Sequence, residues 1–268
     1  MNAFELFDKL TMVLDQISPD KEPEYYCTIT SCIDWDTNSV FDEPMQIATR
    51  LVRINERGVM PELIAQLVVD IYEEEIAQGN HIAACDMATL YYTGHHGEQN
   101  FAKAVEYYKL AADAGNEMAQ ECLGYCYYYG RDVEVDYAKA YNYFSMGAFK
   151  GYIKSLYKIG DMYRYGYHVP KNEAQAYQIY DRCLNTMTDE DAKITGGDVM
   201  IRMADCTFGG IGTEQDLKKA LRFYHLAESM FYDRLEEGDP FVKDGYKKAV
   251  EMQTAVRQVM QKRLNIKV

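Results

Sequence analysis

Glycines recur along this chain at a fixed interval of 36 residues. Two such ladders are present, at Gly58, Gly94, Gly130 and Gly166 and at Gly79, Gly115 and Gly151. Alanine repeats the same step at Ala104, Ala140 and Ala176, and Ala220 follows 44 residues later. A period of this size is typical of stacked helix–turn–helix units, so the sequence predicts an all-α solenoid.

The period divides the chain into three predicted regions. Residues 1–43 are predicted to contain an amphipathic helix over 2–17, followed by an irregular segment that packs on the array. Residues 44–238 are predicted to form about five repeats, the first degenerate and the last delayed by a polar insertion at 186–197. Asp239 and Pro240 mark the start of a predicted C-terminal capping helix over 239–268.

The net charge of the chain limits the classes of partner that it can bind. The formal net charge is −14, which argues against a nucleic-acid backbone or an anionic membrane as the partner. Residues 1–76 hold 16 acidic and 5 basic side chains, a net charge of −11. We interpret this surplus as a solubilising surface in preference to an acidic docking site.

The sequence also predicts a cytoplasmic location. No apolar run reaches the length of a transmembrane helix, and the first residues carry acids where a signal peptide has a basic start. The seven cysteines are an odd number without a regular pairing, which is typical of reduced thiols.

Two short patterns could carry chemistry, and neither is specific. His81 and Cys85 lie four residues apart, with His95 and His96 just beyond, but the spacing matches no standard zinc finger. We interpret them as a helix cap, a core thiol and turn histidines. The glycine-rich segment 209–212 lacks the lysine and hydroxyl residue of a phosphate loop, so it is interpreted as a turn. We therefore predict no catalytic residue, metal or cofactor.

Several segments resemble a known family. AADAGNEMAQ at 111–120, LGYCYYYG at 123–130 and VEVDYAKA at 133–140 are similar to the Sel-one-like repeat, a branch of the tetratricopeptide-like solenoids. The pattern recurs in IGDMY at 159–163 and VPKNEAQA at 169–176. The resemblance is clearest over 79–185 and extends more weakly over 44–78 and 198–227. It implies a right-handed α–α superhelix that acts as a protein-interaction scaffold.

The same resemblance suggests where a partner would bind. In tetratricopeptide-like folds the first helix of each repeat lines the concave face, so its variable positions are the candidate contacts. They are Thr89, Tyr92, Glu121, Tyr125, Tyr128, Tyr157, Asp161 and Arg164, with Cys85 at the start of the first set. We expect an aromatic centre formed by the tyrosines and a charged end formed by Asp161 and Arg164, because tyrosine and arginine are common in binding hot spots.

The sequence thus predicts a non-enzymatic scaffold that binds a protein or peptide, without nucleic acid or membrane. Two alternatives stay open. One is an enzyme with a site in the groove or in residues 1–43, and the other is a regulatory subunit that docks through the acidic N-terminal part. No oligomeric state is predicted.

Overall fold

Helices make up most of the chain. The structure is a computed structural model that describes residues 2–54 and 58–265. The chain forms two compact units, residues 1–135 and 136–268, and each is described by itself.

The first unit begins with a small α/β segment and continues as paired helices. Its elements are α1 (Ala3–Leu14), α2 (Pro23–Cys32), β1 (Ile33–Asp34), β2 (Ser39–Val40), α3 (Pro44–Ile54), α4 (Glu62–Ala77), α5 (His81–Thr93), α6 (Phe101–Asp113) and α7 (Glu117–Tyr129). From α3 onward each helix packs on the next one in the chain.

The second unit continues the alternation and ends in a long helix. Its elements are α8 (Tyr137–Phe149), α9 (Ile153–Tyr165), α10 (Glu173–Thr186), α11 (Asp189–Asp191), α12 (Gly197–Gly209), α13 (Leu217–Glu236) and α14 (Lys243–Asn265). We call α3, α5, α7, α9 and α12 the A helices, and α4, α6, α8, α10 and α13 the B helices. Sequential packing of A and B helices within each unit confirms the predicted all-α solenoid.

The turns between A and B helices explain the glycine ladder. Gly94, Gly130, Gly166 and Gly210 end the A helices α5, α7, α9 and α12 with φ of 77°, 68°, 75° and 68°. In this left-handed conformation each glycine N–H donates to the carbonyl four residues earlier, which closes the helix end.

A further periodic series, made of helix-capping residues, was missed in the sequence analysis. Side chains at the same steps accept a hydrogen bond from the N–H three residues later and so cap the B helices α6, α8, α10 and α13, at Asn100, Asp136, Asn172 and Asp216.

The structure of residues 18–43 differs from the prediction. The expected irregular segment contains the helix α2 and a two-residue hairpin in which Ile33 pairs with Val40. Tyr25, Ile29 and Cys32 are buried and share one face of α2, at spacings of four and three. Threonine and tyrosine around them weaken the helical signal, so tertiary packing outweighs local propensity here.

The predicted insertion 186–197 is helical as well. Thr188 caps the short helix α11 in a reciprocal arrangement with Asp191. A π-helical turn at Ala192–Gly196 then runs directly into α12. The extra residues of this repeat therefore extend the entry to its A helix.

The C-terminal helix covers the last repeat. Ala249 and Val256 of α14 lie in apolar clusters that include Phe231 and Tyr224 of α13, while the opposite face is exposed. Among residues 2–54 and 58–265, no helix is long and apolar enough to cross a membrane.

Candidate functional site

A tyrosine of the B helix is bonded to the A helix of its own repeat. In three repeats the tyrosine hydroxyl forms a hydrogen bond with a polar side chain 19 residues earlier. The pairs are Thr89 with Tyr108 at 3.2 Å, Asp161 with Tyr180 at 2.7 Å, and Asp205 with Tyr224 at 2.7 Å. The predicted contact residues Thr89 and Asp161 therefore also hold the two helices of a repeat together.

Asp161 lies at the centre of a buried charge network. Arg202 donates from Nε to Oδ1 and from Nη2 to Oδ2 of Asp161, both at 2.7 Å. The Nζ of Lys158 lies 3.5 Å from Oδ2, and the Arg202 guanidinium sits 4.3 Å from the centre of the Tyr157 ring. Burial alone would raise the pKa of Asp161, but Arg202, Lys158 and the Tyr180 hydroxyl outweigh burial and hold that pKa below its usual value.

This network alters the predicted charged end of the groove. Asp161 is only 4 % exposed and Tyr157 is also buried, because Arg202 from the following A helix lies against both. Their side chains are therefore part of the interior of the second unit, whereas the sequence analysis expected a binding surface.

Arg164 is likewise engaged within the second unit. Its Nη1 lies 3.3 Å from Oδ2 of Asp205, and the Nζ of Lys248 on α14 lies 2.8 Å from the same oxygen. Sequence spacing alone could not identify these ion-pair partners, because each lies more than 40 residues from the residue it contacts. They are Arg202, Asp205 and Lys248.

The first unit brings its predicted aromatic contacts to a partly accessible surface. Tyr92, Tyr125 and Tyr128 are half-buried, as are Thr89 and Glu121. The ring centre of Tyr92 lies 5.2 Å from that of Phe101, and the ring centre of Tyr128 lies 4.8 Å from that of Tyr129.

One arginine links these two pairs of rings. The Arg131 guanidinium lies 5.0 Å from the centre of the Phe101 ring and 5.9 Å from that of Tyr129, whose side chain is about half exposed. We call Tyr92, Phe101, Tyr125, Tyr128, Tyr129 and Arg131 the aromatic cluster. The sequence analysis missed Phe101, Tyr129 and Arg131, although the last two adjoin the turn glycine Gly130.

A cavity of about 260 Å³ lies beside Thr89 in the first unit. It is lined by Thr49, Val52, Arg53, Tyr72, Asp86, Thr89, Leu90 and His95. Asp86 has no hydrogen bond or ion pair to any described residue, and burial raises its pKa from 3.8 to about 6.

Replacing Asp86 by asparagine is expected to stabilise the protein near neutral pH by about 1 kcal/mol. The whole pKa shift is equivalent to about 3 kcal/mol, and solvent screening of a partly exposed group reduces that figure. Because the pKa is raised in the fold, the wild type loses stability as the pH rises from about 4 to about 6. Urea unfolding at several pH values checks this, with the exposed Asp113→Asn as a control that should change little.

The residues weighed as zinc ligands in the sequence, His81, Cys85, His95 and His96, lie at a helix start, in the core and in a turn. Cys85 is buried in the core, and His95 and His96 lie in the turn after α5. Asn80 caps α5 through its side chain, so the cap is Asn80 and not His81. Within the described ranges no group of three or more histidine, cysteine or acidic side chains could hold a metal ion.

The repeats themselves identify the family. The Sel1 repeat model matches residues 81–116, 118–152, 153–182 and 197–230, about half of the chain. This chain belongs to the Sel1 repeat family. The four matches coincide with the helix pairs from α5 to α13, while the pair α3 and α4 falls outside them. Sel1 repeat proteins are generally protein-interaction scaffolds and are typically non-catalytic.

Solved structures agree on the fold. A Sel1 repeat protein from Oxalobacter formigenes is 20 % identical with a TM-score of 0.63, over 97 % of this chain and 90 % of the other. The protective antigen c5321 of uropathogenic Escherichia coli, described as having an SLR fold, is also 20 % identical, with a TM-score of 0.52 over 93 % of this chain and 56 % of the other. No curated protein matches the sequence at a significant level.

Proposed function

We propose that this Sel1 repeat protein is a non-enzymatic scaffold that binds a protein or peptide through the A-helix face of its repeats. One observation supports this most directly. Equivalent B-helix positions keep a buried alanine in every matched repeat, at Ala104, Ala140, Ala176 and Ala220. One equivalent A-helix position instead varies between repeats, with tyrosine twice, then arginine and phenylalanine, at Tyr92, Tyr128, Arg164 and Phe208. Repeats that keep their packing residues constant and vary the residues of one surface are typical of proteins that bind a partner.

The aromatic cluster is the part of this face best suited to a partner. Tyrosine rings offer large contact area with little loss of side-chain freedom, and their hydroxyls can bond a peptide backbone. Arg131 adds a cation that is held over two rings. The cluster would therefore accept an extended protein segment with apolar and acidic side chains.

Replacing Tyr128 by serine is expected to weaken partner binding at least tenfold, because removal of a hot-spot aromatic side chain commonly costs about 2 kcal/mol or more. Partners would be captured on the immobilised protein, identified by cross-linking mass spectrometry, then purified and titrated. Tyr232→Ser is the matched control, because Tyr232 is an exposed tyrosine on the B helix α13. Equal affinity of both variants for every purified partner would contradict the proposal.

Arg164 is less suitable for that test. A glutamate at this position would place a second carboxylate beside Asp205 and remove the Arg164–Asp205 ion pair. Loss of binding in Arg164→Glu would then reflect a destabilised second unit, so thermal unfolding of each variant must accompany the titrations.

A further inference from the structure

The repeat period allows the cavity of the first unit to be compared with the charge network of the second. Three repeat steps back from Tyr157, Asp161 and Tyr180 stand Thr49, Arg53 and Tyr72. The position that Arg202 has in its repeat is taken by Asp86 in the second repeat. Two opposite charges therefore occupy equivalent positions in both units, with their signs exchanged.

In the second unit the space between these side chains is filled. In the first unit the equivalent space is a cavity. Arg202 and Asp161 are joined by two hydrogen bonds of 2.7 Å, and the Tyr157 ring packs against the guanidinium. The equivalent residues of the first unit line the cavity of about 260 Å³. Thr49 replaces the Tyr157 ring, whereas the exchange of aspartate and arginine leaves their combined volume unchanged, so the missing ring accounts for the space.

Three polar side chains that line this cavity, Arg53, Tyr72 and Asp86, have no hydrogen bond or ion pair to any described residue. The Tyr72 side chain is 2 % exposed, and its hydroxyl bonds no described residue, including Arg53 at the position 19 residues earlier. Asp86 and Arg53 make no ion pair with each other or elsewhere in the part of the chain that the structure describes. Arg53 is exposed and Asp86 is half-buried, so both charged groups are accessible to a ligand that enters the cavity.

We propose that this cavity binds a free α-amino acid as its zwitterion. The ammonium group pairs with Asp86, and the carboxylate accepts hydrogen bonds from Arg53 and from the Tyr72 hydroxyl. Val52 and Leu90 supply an apolar wall for the amino-acid side chain. The volume lies just below the roughly 300–1,000 Å³ typical of sites for drug-sized ligands, which suits a molecule this small.

The charges of the lining favour a zwitterion over a simple ion. An anion that bonds Arg53 would be repelled by Asp86, and a cation that bonds Asp86 would be repelled by Arg53. A ligand that carries both charges can pair with both Arg53 and Asp86. It would bridge these two residues, whereas the equivalent Asp161 and Arg202 contact each other directly. This ligand site goes beyond the scaffold role and does not depend on it.

The common L-amino acids, each at about 10 mM, provide the test. We expect at least one to raise the melting temperature, since binding to the folded state alone stabilises it. For that amino acid, titration calorimetry should show at least a tenfold loss of affinity in Asp86→Asn and in Arg53→Gln. Its amide and its deaminated acid, which each lack one charge, should show a similar loss. Asp113→Asn, an exposed aspartate on α6, should bind as the wild type does.

Two results would overturn the proposal. One is that no amino acid changes the melting temperature. The other is that Asp86→Asn or the amide binds as tightly as the wild type and the parent amino acid. Because Asp86→Asn is expected to stabilise the fold, a loss of binding in this variant cannot be ascribed to unfolding.

Discussion

Replacing Asp161 by asparagine is expected to lower the free energy of unfolding by about 3–5 kcal/mol, the cost of removing one partner from a buried charge network. Asparagine has nearly the same shape, so the loss reflects charge. Lys158, 3 % exposed, and Arg202 would keep their positive charges with no anion between them. Chemical denaturation followed by circular dichroism measures the change.

The matched control is Asp233→Asn, at an exposed position on α13, which should alter stability by less than about 0.5 kcal/mol. The pH dependence gives a second readout. Because the fold lowers the pKa of Asp161, its stabilisation is present above the ordinary aspartate pKa and is lost as the pH falls through the lowered value. The variant should lack this acid-side loss. Equal stability of wild type and variant at neutral pH would show that the network is not needed for folding.

Replacing Gly212 by alanine is expected to cost about 3 kcal/mol or more, for two reasons that add. Gly212 has φ of +68°, a conformation that costs a residue with Cβ about 1–2 kcal/mol. A Cβ there would also lie 2.0 Å from the carbonyl oxygen of Glu173. Since Glu173 begins α10, this backbone contact can be relieved only by moving one repeat against the next.

Gly151→Ala separates the two contributions. Gly151 has φ of +93°, but a Cβ would meet no atom within 4 Å, so only the backbone conformation is penalised. We expect a loss of about 1 kcal/mol in this variant, clearly smaller than in Gly212→Ala. Similar losses in the two variants by urea denaturation would contradict the close approach of the two repeats at Gly212.

Local features of the repeat were predictable because short-range geometry controls them. A glycine that must adopt positive φ is visible at each turn, as at Gly94 and Gly166, and a buried alanine recurs in each B helix, as at Ala104. The caps at Asn100 and Asp216 follow the same steps and could have been read from the sequence. Helix α2 could not, because its stability depends on buried contacts with other elements.

The candidate site was predicted less completely. Tyr92, Tyr125 and Tyr128 were placed on the A helices by their spacing, and the structure surrounds them with Phe101, Tyr129 and Arg131 only because the intervening turn folds back. Asp161 has the same repeat position as Tyr125. Its burial depends on Arg202, which lies 41 residues further along the chain.

The sequence by itself therefore determined the period, the turns, the solenoid fold and the family, because these depend on residues close together within one repeat. Tertiary structure alone decided which A-helix side chains are buried, which are paired and which face a cavity. Those properties depend on the length and charge of side chains supplied by a neighbouring repeat. Arg202 fills the space beside Asp161, whereas Thr49, in place of a tyrosine ring, leaves the equivalent space beside Arg53 as a cavity.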